Sequence, residues 1–91
     1  MGRAEYKVPG GKLLAAETEV QDGRLSRVKV TGDFFMHPET AIEDLEENMT
    51  GILLDEIEGE IENFFATRDV TLYGASPEDF SHVVRLSLKS A

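Results

Sequence analysis

KLLAAETEVQDGRLSRVKVT, residues 12–31, reads as two strands around an Asp-Gly turn, and this reading decides the fold. Asp-Gly between two alternating runs is a strong hairpin signal, because both residues tolerate the positive φ that a tight turn demands. Loop length then sets which residues meet. A two-residue loop of Asp22 and Gly23 puts Glu17 opposite Val28, polar against apolar. A three-residue loop of Gln21, Asp22 and Gly23, with Gly23 left-handed as a bulge, pairs Glu17 with Arg27, Ala16 with Val28 and Leu14 with Val30. That register sets an opposite-charge pair on the wet face and aliphatics on the dry one, so it is the expected one.

Outward from the hairpin, AEYKV (4–8) alternates as well, with Ala4, Tyr6 and Val8 on one face and Glu5 and Lys7 on the other. Between it and the hairpin lies Val8-Pro9-Gly10-Gly11-Lys12, a Pro-Gly-Gly corner joining the first two strands. After the hairpin, TGDFFMHPE (31–39) forms a connection, and a helix is predicted to begin near Pro38. Ala41, Ile42, Leu45 and Met49 recur at helical spacing until Gly51 closes the run. A second helix is expected from Asp55, with Glu58 completing a capping box and Ile57, Ile61, Phe64 and Phe65 as its apolar stripe. Gly59 inside that stripe suggests a kink or a close contact, since glycine costs about 1 kcal/mol relative to alanine in a helix. DVTLYG (69–74) reads as a short strand. SPED (76–79) opens a third helix, with Ser76 as cap, Pro77 in the first turn, Asp79 as reciprocal acceptor, and Phe80, Val83, Val84 and Leu88 as the buried face. The order βββ-αα-β-α predicts an α+β two-layer domain over residues 1–91: a three-stranded antiparallel sheet plus a further short strand, with three helices packed on one side.

Composition bounds the function. A chain of 91 residues, 41% hydrophobic and 30% charged, folds as one small globular domain with a single core. It has no cysteine, which excludes disulfides, thiolate metal sites and cysteine nucleophiles. A net charge of −9 opposes binding to nucleic acid or to an anionic membrane surface. With no membrane-length apolar run and no signal peptide visible, the expected compartment is the cytoplasm. Lys and Arg concentrate in the first thirty residues, whereas residues 39–62 are crowded with Asp and Glu, read as a solvated helix face.

Tests for chemistry come back negative. The PGGK corner lacks the spacing and the hydroxyl residue of a phosphate loop and is followed by a strand, so no helix N-terminus faces a phosphate. The dinucleotide fingerprint is absent. His37 and His82 lie far apart and show no metal-ligand spacing. The acidic residues 43, 44, 46 and 47 are too numerous to single out an acid–base pair, and no serine sits in a nucleophile elbow. No self-sufficient active site and no metal site is expected in this chain. Phe34-Phe35-Met36 is more informative, because three large apolar residues in an extended segment cannot all face the core. Phe34 and Met36 are expected to plug the core, leaving Phe35 as a partner-contact residue.

YKVPGGKL at residues 6–13, the Asp-Gly hairpin, VKVTGDFF at 28–35 and PETAIEDLE at 38–46 together resemble the C-terminal accessory domain of lipoate–protein ligases. Standing apart from a catalytic domain, the chain is similar to the small subunit of a two-part, archaeal-type ligase. The resemblance implies a heterodimer with a catalytic large subunit that makes lipoyl-adenylate from lipoate and ATP with magnesium. The lipoyl group then passes to a lysine of a carrier, the lipoyl domains of 2-oxoacid dehydrogenases or the glycine cleavage H protein. It also implies that this chain binds no cofactor of its own and acts in the activation step by closing over or stabilising the partner's active site. The architecture is shared with iron–sulfur scaffold and sulfur-acceptor proteins, whose chemistry the lack of cysteine argues against. The matching motifs nominate Val8, Pro9, Gly10, Gly11 and Lys12 with Asp33, Phe34, Phe35 and Met36 as one docking or closure edge. Lys12 is the candidate for placing positive charge near the adenylate phosphate. The rival readings are an acidic adaptor without enzymatic role, binding another protein, and a small-molecule binder, for which so short a chain has little room.

Overall fold

In the computed structural model, which describes residues 2–89, strands β2 (Leu13–Gln21) and β3 (Arg24–Gly32) close around a two-residue turn. Asp22 and Gly23 both have positive φ, 55° and 76°, as a mirror-image hairpin turn requires. The three-residue loop is therefore incorrect, and so is its register. Gln21 pairs with Arg24 and Val20 with Leu25, then Glu19 pairs with Arg27, so Ser26 is an extra residue that bulges from β3. One added residue on either arm restores the parity that a two-residue turn alone would break. The expectation put it in the loop, and the chain puts it in the return strand. The faces are those expected, but partners shift by two: Ala16 meets Val30, Thr18 meets Val28, and Glu17 and Glu19 meet Lys29 and Arg27. Opposite charges thus line the wet face, where Arg3 also approaches Glu17 at 3.5 Å.

Strand β1 (Gly2–Lys7) pairs antiparallel with β2, giving the order β1-β2-β3. Leu14, Ala16, Thr18, Val28 and Val30 are buried on the dry face. Helix α1 (Ala41–Met49) packs on β3 through Ala41, Leu45 and Met49, and α3 (Pro77–Lys89) packs on β1 and β2 through Phe80, Val83, Val84 and Ser87. Helix α2 (Ile57–Thr67) bridges α1 and α3, burying Ile57, Ile61 and Phe64. The α3 start is the expected capping box: Asp79 accepts from the Ser76 backbone N–H and hydroxyl, both at 2.9 Å, and returns its own N–H to Ser76 Oγ.

Several local expectations change. The 31–39 connection contains strand β4 (Phe35–His37), which pairs with β5 (Thr71–Tyr73) in a separate two-stranded sheet. Because β4 runs to His37, Pro38 lies in the following turn, its carbonyl accepting the Ala41 N–H at 3.0 Å, and the helix starts three residues later than predicted. Before α2 a 3-10 turn spans Leu54–Glu56, and Glu56, not Glu58, reaches back to the Leu53 N–H at 3.0 Å. Glu58 instead binds Arg85 of α3, whose guanidinium also donates to the Leu54 carbonyl at 2.7 Å. That hydrogen-bonded guanidinium holds the Glu58 carboxyl below its ordinary value, against a smaller opposing effect of burial. Gly59 is exposed, and a methyl group there would meet nothing within 4 Å, so it makes no close contact.

The polar pair that joins sheet to helix was not foreseen. Thr18 and Ser87 are both buried, and their hydroxyl oxygens lie 2.9 Å apart. Ser87 donates to the Val84 carbonyl at 2.6 Å, so it receives the proton of Thr18.

Three outcomes follow for stability, all readable by denaturant melts. Gly59→Ala raises stability by about 0.5–1 kcal/mol; a loss would mean a contact at Gly59 that this packing does not contain. Ser87→Ala strands the Thr18 hydroxyl and costs about 1–3 kcal/mol. Thr18→Val costs less, because Ser87 keeps its bond to Val84, and the reverse ranking would show the proton direction to be wrong. Glu58→Gln is destabilising at pH 7. A carboxyl whose folded pKa is lowered stabilises above its unfolded pKa and loses that contribution as pH falls through the folded value, so the deficit must vanish on acidification below the ordinary carboxylate range.

Candidate functional site

The corner between β1 and β2 is a closed structure. Gly11 donates to the Val8 carbonyl at 2.8 Å across Pro9-Gly10, and Gly10 has φ +70°, the signature of a type II turn. Val8 donates to the Lys12 carbonyl at 3.0 Å, extending the ladder to the base of the turn. A side chain at Gly11 would strike the Gly74 carbonyl at 2.9 Å and Val8 at 3.0 Å. The glycine is thus required by a close backbone approach from a distant segment.

That segment is the link between β5 and α3. Lys12 donates its N–H to the Gly74 carbonyl at 3.3 Å, and a side chain on Gly74 would meet the Lys12 stem at 3.0 Å and Phe34 Cα at 3.5 Å. On the other flank Asp33 donates to the Leu13 carbonyl at 3.0 Å, and Gly32 lies so near Leu13 that no Cβ fits. The two sequence motifs therefore meet, with Gly74 between them.

Each nominated residue has a distinct place. Val8 is buried, and Pro9, Gly10, Lys12 and Asp33 are exposed. Met36 is buried, while Phe34 is half-buried and packs edge-to-face on Phe80 with ring centres 5.1 Å apart. Phe35 turns outward, 61% exposed, directly opposite Tyr73, 63% exposed. The outer face of the ribbon thus presents Phe35 and His37 on one strand and Thr71 and Tyr73 on the other, all exposed. Next to it opens a groove of about 210 Å³ lined by Phe34, Phe35, Met36, Glu39 and Ile42. Among the described residues Lys12 forms no salt bridge. Stacking, apolar contact and one accessible cation are what this edge offers.

Tyr73, Glu39 and Ile42 were not nominated from sequence. For Tyr73 the signal was available, since the alternation of Val70 and Leu72 leaves Thr71 and Tyr73 pointing the other way. For Glu39 and Ile42 no such signal existed, because their proximity to Phe35 depends on how the chain turns after β4.

Residues 3–84 match the family described as the bacterial lipoate protein ligase C-terminus. Lipoate-protein ligase A subunit 2 of Thermoplasma acidophilum is 31% identical over 74 residues, covering 81% of this chain and 78% of that protein. In a solved archaeal lipoylation system, a bi-partite lipoate protein ligase and its E2 lipoyl domain from the same organism, one chain superposes with a TM-score of 0.79 at 28% identity. That match covers 91% of this chain and 97% of the other. No helix among the described residues is long and apolar enough to cross a membrane. On the match of residues 3–84 and the similarity to that second subunit, the chain belongs to the lipoate–protein ligase C-terminal domain family.

Proposed function

We propose that this chain is the accessory subunit of a bipartite lipoate–protein ligase, acting with a catalytic subunit in the ATP-dependent activation of lipoate to lipoyl-adenylate. The observation that carries it is the likeness along almost the whole length of a chain from a bi-partite ligase, 97% of which is covered. A separate small subunit with this fold is therefore a form the family takes. The carriers are lipoyl domains, to which the name of the matched system points, with 2-oxoacid dehydrogenases and the glycine cleavage H protein as the protein classes that bear them.

Lipoate and ATP are substrates of the complex, and magnesium accompanies the nucleotide. Their sites are assigned to the catalytic subunit. No three His, Cys, Asp or Glu side chains gather as a metal-holding group among the described residues. The groove of about 210 Å³ is also smaller than the ~300 Å³ at which ligand pockets begin. This chain contributes through its edge. Its corner and its 31–36 segment close against the catalytic subunit, with Lys12 supplying a cation next to the forming adenylate.

The reading is tested by a lipoylation assay with ATP, lipoate and a lipoyl domain, using the cognate catalytic subunit with and without this chain. Lipoyl-adenylate should form at a useful rate only when both are present. Equal activity from the large subunit alone would overturn the accessory role. Lys12→Ala in the reconstituted pair should lower adenylate formation about 100-fold or more, the effect of removing one preorganised group that stabilises developing charge, with unchanged pair affinity. An unaltered rate would exclude Lys12 from the phosphate.

A further inference from the structure

The aromatic pair on the ribbon is turned away from the core. Phe35 and Tyr73 are opposite one another in the β4–β5 register and are the most exposed large apolar side chains among the described residues. Their neighbours on the same strands, Met36 and Leu72, face inward and hold the ribbon to the core. Phe34, next in line, is braced on the fully buried Phe80 ring. A frame anchored on the core therefore presents two rings to water. Rings so placed are the residue types that dominate binding energy at protein interfaces.

The other exposed apolar residues do not make a comparable surface. Leu13, 42% exposed, begins β2 at the corner, whereas Val20 and Leu53, each 43% exposed, lie apart from it at the hairpin end of the sheet. Leu53 bridges to Arg24 and shares its face, whereas Val20 pairs with Leu25 and shares the other. Adjacent strand residues point to opposite faces, so these two form no single patch.

We infer, resting on the accessory-subunit reading, that the Phe35–Tyr73 pair and the groove beside it seat the catalytic subunit, which inserts an apolar side chain flanked by a lysine or arginine that meets Glu39. The groove has room for one large side chain. Its one charged lining residue is Glu39, and the chain as a whole carries a net charge of −9. Two copies of this chain meeting through that groove would set acid against acid, whereas a partner with a basic rim is complementary. A second polypeptide of that kind is what the bi-partite relative has.

Calorimetric titration of this chain into its cognate catalytic subunit tests the inference, with the lipoylation assay on the same samples. Phe35→Ser and Tyr73→Ser should each weaken binding roughly 30-fold, and each should melt like the wild type. Val20→Ser and Leu53→Ser, at the far end of β2, should leave the affinity within about twofold, as near-neutral surface positions do. Glu39→Lys should weaken binding more at low salt than at high salt, and this readout stands even if a serine variant fails to fold. If the wild-type pair binds and activates but the Phe35, Tyr73 and Glu39 variants bind as tightly, the inference is overturned and the accessory role survives. If the wild-type proteins neither bind nor activate, both fall. A dimer of the isolated chain in sedimentation, lost in Phe35→Ser, would assign the surface to a second copy and also overturn it.

Discussion

The arrangement of this protein depends on the parity of the β2–β3 hairpin. In a strand a shift of one residue sends every side chain to the other face. Here the shift would expose Leu14, Ala16, Val28 and Val30 and bury charged residues under α1 and α3. The Ser26 bulge prevents it by adding one residue to the return strand after a two-residue turn. It also lets Asp22 and Gly23 keep the two positive φ angles that such a turn needs. With the parity set, the buried Thr18 hydroxyl meets Ser87, and α3 is keyed to the sheet by a hydrogen bond within the apolar contact. The same register places Leu13 where Asp33 can reach its carbonyl, so the corner and the β3 exit are joined by a consequence of the hairpin.

The acidic block does more than coat a helix face with charge. Glu46 of α1 accepts the Val30 N–H at 2.7 Å, which occupies a donor of β3 with a carboxylate. Further along β3, the Leu25 N–H and carbonyl bond to Ile52 and Gly51, and Gly23 accepts from Leu54. The outer edge of β3 is thereby covered by a side chain and a loop, which protects it from pairing with another strand. Glu58 ties α2 to α3 through Arg85. Thus some carboxylates hold the layers together, while exposed neighbours such as Glu43 and Glu47 give the chain its negative surface.

Two motifs that the sequence places twenty residues apart become one edge, but their members have different duties. Gly11, Gly32 and Gly74 allow backbones to approach where a Cβ would collide. Val8, Phe34 and Met36 anchor the edge on the core. Pro9, Lys12, Asp33 and Phe35 remain exposed and are the members that can touch a partner.

Sequence alone determined the hairpin, the three helices and the faces they bury: periods of two and of 3.6, an Asp-Gly turn and the Ser76–Asp79 cap are local signals, each written within a few residues. It also determined that Phe35 faces outward, since neighbouring strand residues alternate. The family likeness rested on short stretches of sequence, and it too was legible before any packing was known. The tertiary structure decided what depends on distant partners. Whether the parity-correcting residue sits at Gln21 or Ser26 is not settled by a pattern that both satisfy. Glu58 does not close the expected capping box, which Glu56 completes at the Leu53 N–H, and it binds Arg85, twenty-seven residues on. Tyr73 joins Phe35 only because β5 pairs with β4, a pairing between three-residue strands too short to specify their partner by sequence, and made possible by α1 and α2 folding back between them.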